Sequence, residues 1–379
     1  MEQKQEQKQE LKKNLGAVTA MATVVGSVIG SGVFFKPQAI YTATGGAPGL
    51  GMYAWLITGI VSIAAALTFS EVAIMIPKTG GIVAYLEEIY NPMIGFLAGW
   101  VQILLFYPAM ISALAVAGGQ QMAFFIGDGY VAPVAVAMII IIIFLNSMGS
   151  KIGGSVQVIF TVCKMIPLIL LMIFGFVRGA GTNPVFTPMV GEGLSPMVVL
   201  GQLMIAILFA FEGWTNVGAI AGEMKNPGKD LPGAIVGGVS LIMAVYFIIN
   251  LAYLWVLPAS ELATLTAPAS AVAVKILGKL GGQIVSIGII VSVFGNCNGC
   301  ILSGSRVAYS LAAEGKFPFH KTFAKLNGAQ VPANAIMLVG GIGAFYALSG
   351  QFNLLTDLAV FSSWTFYTLT FIGVIKLRK

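Results

Sequence analysis

Long apolar stretches separated by short polar turns dominate the chain. They lie near 16–43, 49–76, 92–121, 130–147, 153–177, 196–222, 232–256, 283–313, 333–349 and 354–375. About 20 apolar residues in a helix cross a hydrocarbon layer of roughly 30 Å, so the pattern predicts ten transmembrane helices. A membrane barrel would instead alternate apolar and polar positions along short strands. Runs such as Val134–Leu145 are apolar throughout, which points to an all-α polytopic membrane protein. Residues 1–14 mix Glu, Gln and Lys without an apolar stripe and read as a solvated tail, not a signal peptide. Residues 15–379 then form a single transmembrane domain. The stretch Pro268–Leu277 is expected as a short lid helix in the longest outer loop, and residues 78–91 as an amphipathic helix at the inner surface.

Composition agrees: hydrophobic residues make up 58% of 379 and charged residues 9%, with a mean hydropathy of +0.92. A net charge of +6 spread thinly over loops gives nucleic acid nothing to bind. With the N-terminus cytoplasmic, fourteen lysines and arginines in loops and tails fall inside, and only Arg178, Lys275 and Lys279 fall outside. That bias orients the chain. Cys163, Cys297 and Cys300 all sit in apolar runs, and the only histidine, His320, lies in a cytoplasmic loop. Such a set offers no metal site and no cofactor site, and the cysteines read as small packing residues. Neither Gly-x-Ser-x-Gly nor His-Glu-x-x-His occurs, so no enzyme is indicated.

Two spans carry interruptions. In span one, Gly26-Ser-Val-Ile-Gly-Ser-Gly32 places three glycines within seven residues near the bilayer midplane. This stretch has two readings. A broken helix presents backbone amides and carbonyls to a polar cavity, forming a substrate site. A small-residue seam would instead let another helix approach closely. In span six, Phe209-Ala-Phe-Glu-Gly-Trp-Thr-Asn216 carries an acid next to glycine in mid-membrane, which is costly against lipid. Spans one and six each begin a set of five, about 15–178 and 196–376. Because five is odd, the two sets enter the membrane in opposite senses, and matching interruptions in inverted halves point to a transporter site.

These motifs resemble the amino acid–polyamine–organocation superfamily, which has the LeuT-type fold with a 5+5 inverted repeat and broken helices 1 and 6. Within it the chain is similar to the L-type amino acid transporter family, especially bacterial serine/threonine or alanine/serine/cysteine exchangers. The matching residues are Gly26-Ser-Val-Ile-Gly-Ser-Gly-Val-Phe34, Pro77-Lys-Thr-Gly-Gly81, Gly99-Trp-Val-Gln102, Phe209-Ala-Phe-Glu-Gly-Trp214, Gly222-Glu-Met-Lys-Asn-Pro227, Asn298-Gly and Ser305-Arg306. Members usually have twelve spans, and the final hairpin has no counterpart in this sequence.

The resemblance implies a sodium-independent exchanger of small neutral L-amino acids in the cell membrane. Its alternatives are a proton-coupled symporter and a non-transporting sensor. It also implies a site. The amides of Ser31 and Gly32, with Gly30 and Ile29 in the unwound stretch, face the substrate carboxylate. Carbonyls of Val28, Phe209 and Glu212, beside Ala210 and Gly213, face its ammonium. Phe209 matches an aromatic gate. Glu212 has three readings: counter-charge, proton carrier or structural hydrogen-bonding group. Lys164, deep in span five, matches a lysine standing where sodium-driven relatives hold an ion, with Asn298 as a polar partner. Its other reading is structural. Trp214 and Trp364 are either pocket lining or packing, and Glu71 ties the inner end of span two to a loop. Mammalian members pair with a heavy chain through a cysteine in the loop after span three. Here Gly127-Asp128-Gly129 has none, implying no disulfide-linked partner.

Overall fold

A computed structural model describes residues 17–76, 81–149, 165–216 and 226–378. The tail at 1–14 and Lys164 lie outside them. Among the described residues the secondary structure is helical, and each of the ten expected stretches carries a helix. Five helices are long and apolar enough to cross a membrane, with a sixth counted if the bent pair in span one is a single span. Val131–Ser147, Met165–Arg178, Pro196–Phe211 and Ala333–Ala347 are shorter apolar helices at the remaining positions.

Span one is two helices, Ala17–Val28 and Gly32–Ala43, bent by 50° at the expected residues. Span six runs over Pro196–Phe211 and stops there. Gly213 (φ +121°) then turns the chain into a short 3₁₀ segment, Trp214–Asn216. A side chain at that φ would be strained, and a Cβ would stand 2.7 Å from the Ser27 carbonyl oxygen, so glycine is required twice over.

Span three passes through the centre as Pro92–Val101, a π-helical turn at Gln102–Phe106 and Tyr107–Ile126. Its second helix is buried from Ile111 to Gly119 without interruption, as expected of a helix apolar on every side. Spans four (Val131–Ser147), eight, nine (Ala333–Ala347) and ten (Phe352–Leu377) pack around it. Span two (Gly49–Met75) and span seven (Pro227–Val256) pack on the broken helices instead.

The lid segment forms at Pro268–Leu277 and is set off from span eight by Gly278 (φ +75°) inside one long helical run, Pro268–Ala313. Arg178 donates to the Ile276 carbonyl at 3.1 Å, and Ser270 donates to Gln121 of span three at 2.5 Å. At the other end of the bundle the amphipathic segment is the helix Ile82–Ile89. Lys316 pairs with its Glu87 at 2.9 Å and with Glu314 at 2.9 Å. The two carboxylates, Glu314 first, hold that ammonium above the ordinary lysine range. Glu71 does tie down the end of span two, but its partner is Arg378 after span ten, in a two-pronged pair at 2.6 and 2.7 Å.

Candidate functional site

The two interruptions meet. A Cβ on Gly32 would stand 2.6 Å from both Cα and Cβ of Ala210, so the start of the outer half of span one lies directly on span six. The glycine stretch is thus both a break in the helix and a close seam of small residues. Ser31 caps the outer half-helix with its carbonyl accepting from Phe34 at 3.0 Å, while its own hydroxyl is buried without a hydrogen-bond partner. The helix opens at Gly32, so its first amides and positive dipole end face the break.

Phe209, Ala210 and Phe211 close the last turn of the helix in span six, and Glu212 leaves it in extended geometry. The Glu212 side chain is 6% exposed. One oxygen accepts from Tyr367 of span ten at 2.7 Å, and the other has no hydrogen-bond partner. Trp214 is fully buried against Tyr367 (5.1 Å) and Phe69 (5.5 Å). Trp364 packs on Tyr367 (6.1 Å) and Phe371 (6.4 Å). Neither indole N–H has a hydrogen-bond partner. Asn298 accepts from Asn146 of span four at 2.7 Å.

Several site residues carry no clear sequence signal. Tyr246 of span seven donates toward the carbonyls of Ala210 (2.9 Å) and Val28 (3.2 Å), joining the two breaks through one hydroxyl. The carbonyls expected to face an ammonium are thus partly occupied: Val28 by Tyr246, and Phe209 by the Glu212 amide at 3.2 Å. A tyrosine in an apolar run resembles any core aromatic, so nothing marked it. Asn296 of span eight lies 2.9 Å from the position a Gly30 Cβ would take.

Lys36 did carry a signal, a cation inside an apolar run. It is fully buried, 2.6 Å from the Thr356 hydroxyl and 3.7 Å from the half-exposed Asp357 carboxylate. Its ammonium also lies 5.3 Å from the Phe209 ring centre and 5.4 Å from that of Phe352. Phe209 meets Phe352 edge-on at 5.7 Å. In the second half-helix Val33, Phe34, Phe35 and Lys36 are all buried. On the other side of the break Gly26, Ser27, Gly30, Asn296 and Cys300 keep partial exposure.

Such a centre offers helix-end amides, a buried unpaired hydroxyl and a buried acid, with no cluster of His, Cys, Asp or Glu fit for a metal among the described residues. A family model for amino acid permeases matches residues 15–379. The chain is 38% identical to the "Serine/threonine exchanger SteT" of Bacillus subtilis (strain 168) over 92% of its own length and 80% of that protein. It is 31% identical to the human "b(0,+)-type amino acid transporter 1" over 92% and 72%, and 29% identical to the mouse "Asc-type amino acid transporter 1" over 92% and 67%. The solved structure of MhsT in complex with L-phenylalanine superposes with a TM-score of 0.62 at 15% identity, covering 96% of this chain and 89% of that one. MhsT has the LeuT-type fold, and so does this chain.

Proposed function

The chain belongs to the amino acid permease family, whose members are transporters and not enzymes, and from that premise we propose that it exchanges small neutral L-amino acids of the serine and threonine type by alternating access. One observation carries the site assignment. Ser31 and Glu212, one from each interruption, both keep a buried polar atom without a partner. Orphaned buried groups are costly, and a zwitterion satisfies both kinds at once. In this reading the substrate carboxylate takes the helix-end amides at Ser31 and Gly32 with the Ser31 hydroxyl, while its ammonium faces Glu212 and the carbonyls ending span six. Ile29 and Gly30 line the unwound stretch. Phe209, with Lys36 and Phe352, covers the substrate on the outer flank.

The identity to a serine/threonine exchanger supports small hydroxylated substrates and one-for-one exchange. Sodium independence rests on Lys164 acting in place of an ion, with Asn298 of span eight as its expected polar partner. The protein acts in the cell membrane with its N-terminus cytoplasmic, without a disulfide-linked partner, and its repeats divide near 15–178 and 196–376.

The test is trans-stimulation in proteoliposomes with labelled serine, alanine, leucine and arginine against a preloaded panel. Serine uptake driven by internal serine or threonine is expected, and uptake indifferent to internal substrate would refute exchange. A second reading, proton-coupled symport, draws on the free oxygen of Glu212 beside the Tyr367 hydroxyl. It predicts pH-driven accumulation into vesicles that hold no substrate.

A further inference from the structure

Span three is α-helical on both sides of one π-turn, Gln102–Phe106, whose closing bond runs from the Tyr107 amide to the Gln102 carbonyl. The cause is local. In an α-helix the Leu104 carbonyl accepts from the amide of residue 108, and residue 108 is proline, which has none. An unpaired carbonyl inside a membrane protein needs a donor from elsewhere. Tyr346 of span nine supplies it: its hydroxyl donates to the Leu104 carbonyl at 3.0 Å. Span nine gets close enough because Gly343, one turn earlier, lies against Ile111 and the Pro108 carbonyl.

The π-turn sets the direction of the next side chain. Tyr107 packs so tightly on span eight that a Cβ on Gly304 would stand 2.8 Å from the Tyr107 Cβ. Span eight is also the helix whose Asn296 stands against Gly30 of the span-one break. Spans eight, nine and ten all contact the turn. A residue added to a helix at a π-turn rotates everything beyond it, and such turns mark functional positions.

We infer that Tyr346 is a positioning residue of the substrate site: by capping the Leu104 carbonyl that Pro108 leaves without a donor, it holds the π-turn and keeps Tyr107 seated on span eight, the helix whose Asn296 meets Gly30 at the span-one break. This rests on the reading of the two interruptions as the amino acid site. Tyr346 itself touches span three at the Leu104 carbonyl and acts through the turn, not on the substrate.

The test is a double-mutant cycle between Tyr346→Phe and Pro108→Ala, read as exchange of labelled L-serine in proteoliposomes. Loss of the cap should raise KM roughly fivefold or more, with a smaller change in the maximal rate. Pro108→Ala restores an amide at residue 108, so Tyr346→Phe added to it should change KM little. Gly304→Ala, which pushes directly on Tyr107, should raise KM in the same sense. Hydrogen exchange of amides 102–109, measured on the same preparations, should quicken severalfold in Tyr346→Phe alone. If the unsubstituted chain exchanges no amino acid, the proposed function fails, and the hydrogen-exchange result still decides whether Tyr346 holds the turn. If serine exchange occurs but Tyr346→Phe leaves KM and the 102–109 amides unchanged, or costs the same with and without Pro108→Ala, the inference is overturned.

Discussion

At the span-one interruption the chain leaves the helix over Ile29, Gly30 and Ser31 with no ionisable side chain, and what it offers is backbone and one hydroxyl. Span six leaves its helix at an acid, Glu212, and surrounds the exit with Trp214, Tyr367 and Phe69. Both sit at the same place in their half of the fold, yet one is rich in donors and the other in acceptors. A pair of identical breaks would suit a symmetric ion. This pair suits a molecule with a carboxylate at one end and an ammonium at the other. Glycine sets the distance between them, since Gly32 meets Ala210 and Gly213 meets Ser27 with no room for a Cβ.

The sharpest way to break this comparison is to push the two interruptions apart. Gly32→Val puts side-chain atoms where the backbone of Ala210 already stands, so exchange should fall to background while the protein still inserts and purifies. Serine methyl ester, lacking the carboxylate, should fail to compete in the unsubstituted protein. Measurable exchange by the valine variant would show that the contact is incidental.

Next in size is the acceptor side. Glu212→Gln keeps the shape and removes the charge, which should weaken binding by roughly 1–3 kcal/mol, the cost of a lost charge-assisted hydrogen bond. In exchange assays that is a rise in KM with activity recovered at high substrate. Unaltered KM with abolished pH-driven uptake would transfer Glu212 to proton coupling, and a lower melting temperature with neither change would make it structural.

The outer flank should respond less. Asp357 is half exposed and stands 3.7 Å from Lys36, whose ammonium also holds Thr356. Asp357→Asn should therefore cost about 1 kcal/mol or less, seen as a change in exchange rate of up to about fivefold. A total loss would mean that this ion pair, not the aromatic cover, closes the outer side. The smallest expected effect is none: replacing external sodium by choline should leave uptake unchanged if Lys164 takes the place of an ion. Steep sodium dependence would remove that assignment.

The positions and helical class of the spans were readable from the chain because lipid demands an apolar composition of each helix, and composition is a local property. The interruptions were readable for the same reason: glycines and an acid at mid-span conflict with an unbroken helix in lipid, and that conflict is written in seven or eight consecutive residues. The short helix at Pro268–Leu277 was expected from its place in the longest loop, and it forms there. Tertiary structure decided the rest. Tyr246 joins Val28 to Ala210, Tyr367 reaches Glu212, and Tyr346 caps Leu104 across separations of 36 to 242 residues. Each partner is an ordinary aromatic in an apolar run. Their roles depend on which carbonyl or carboxylate the folded bundle leaves without a donor, and a sequence read one helix at a time contains no such pairing.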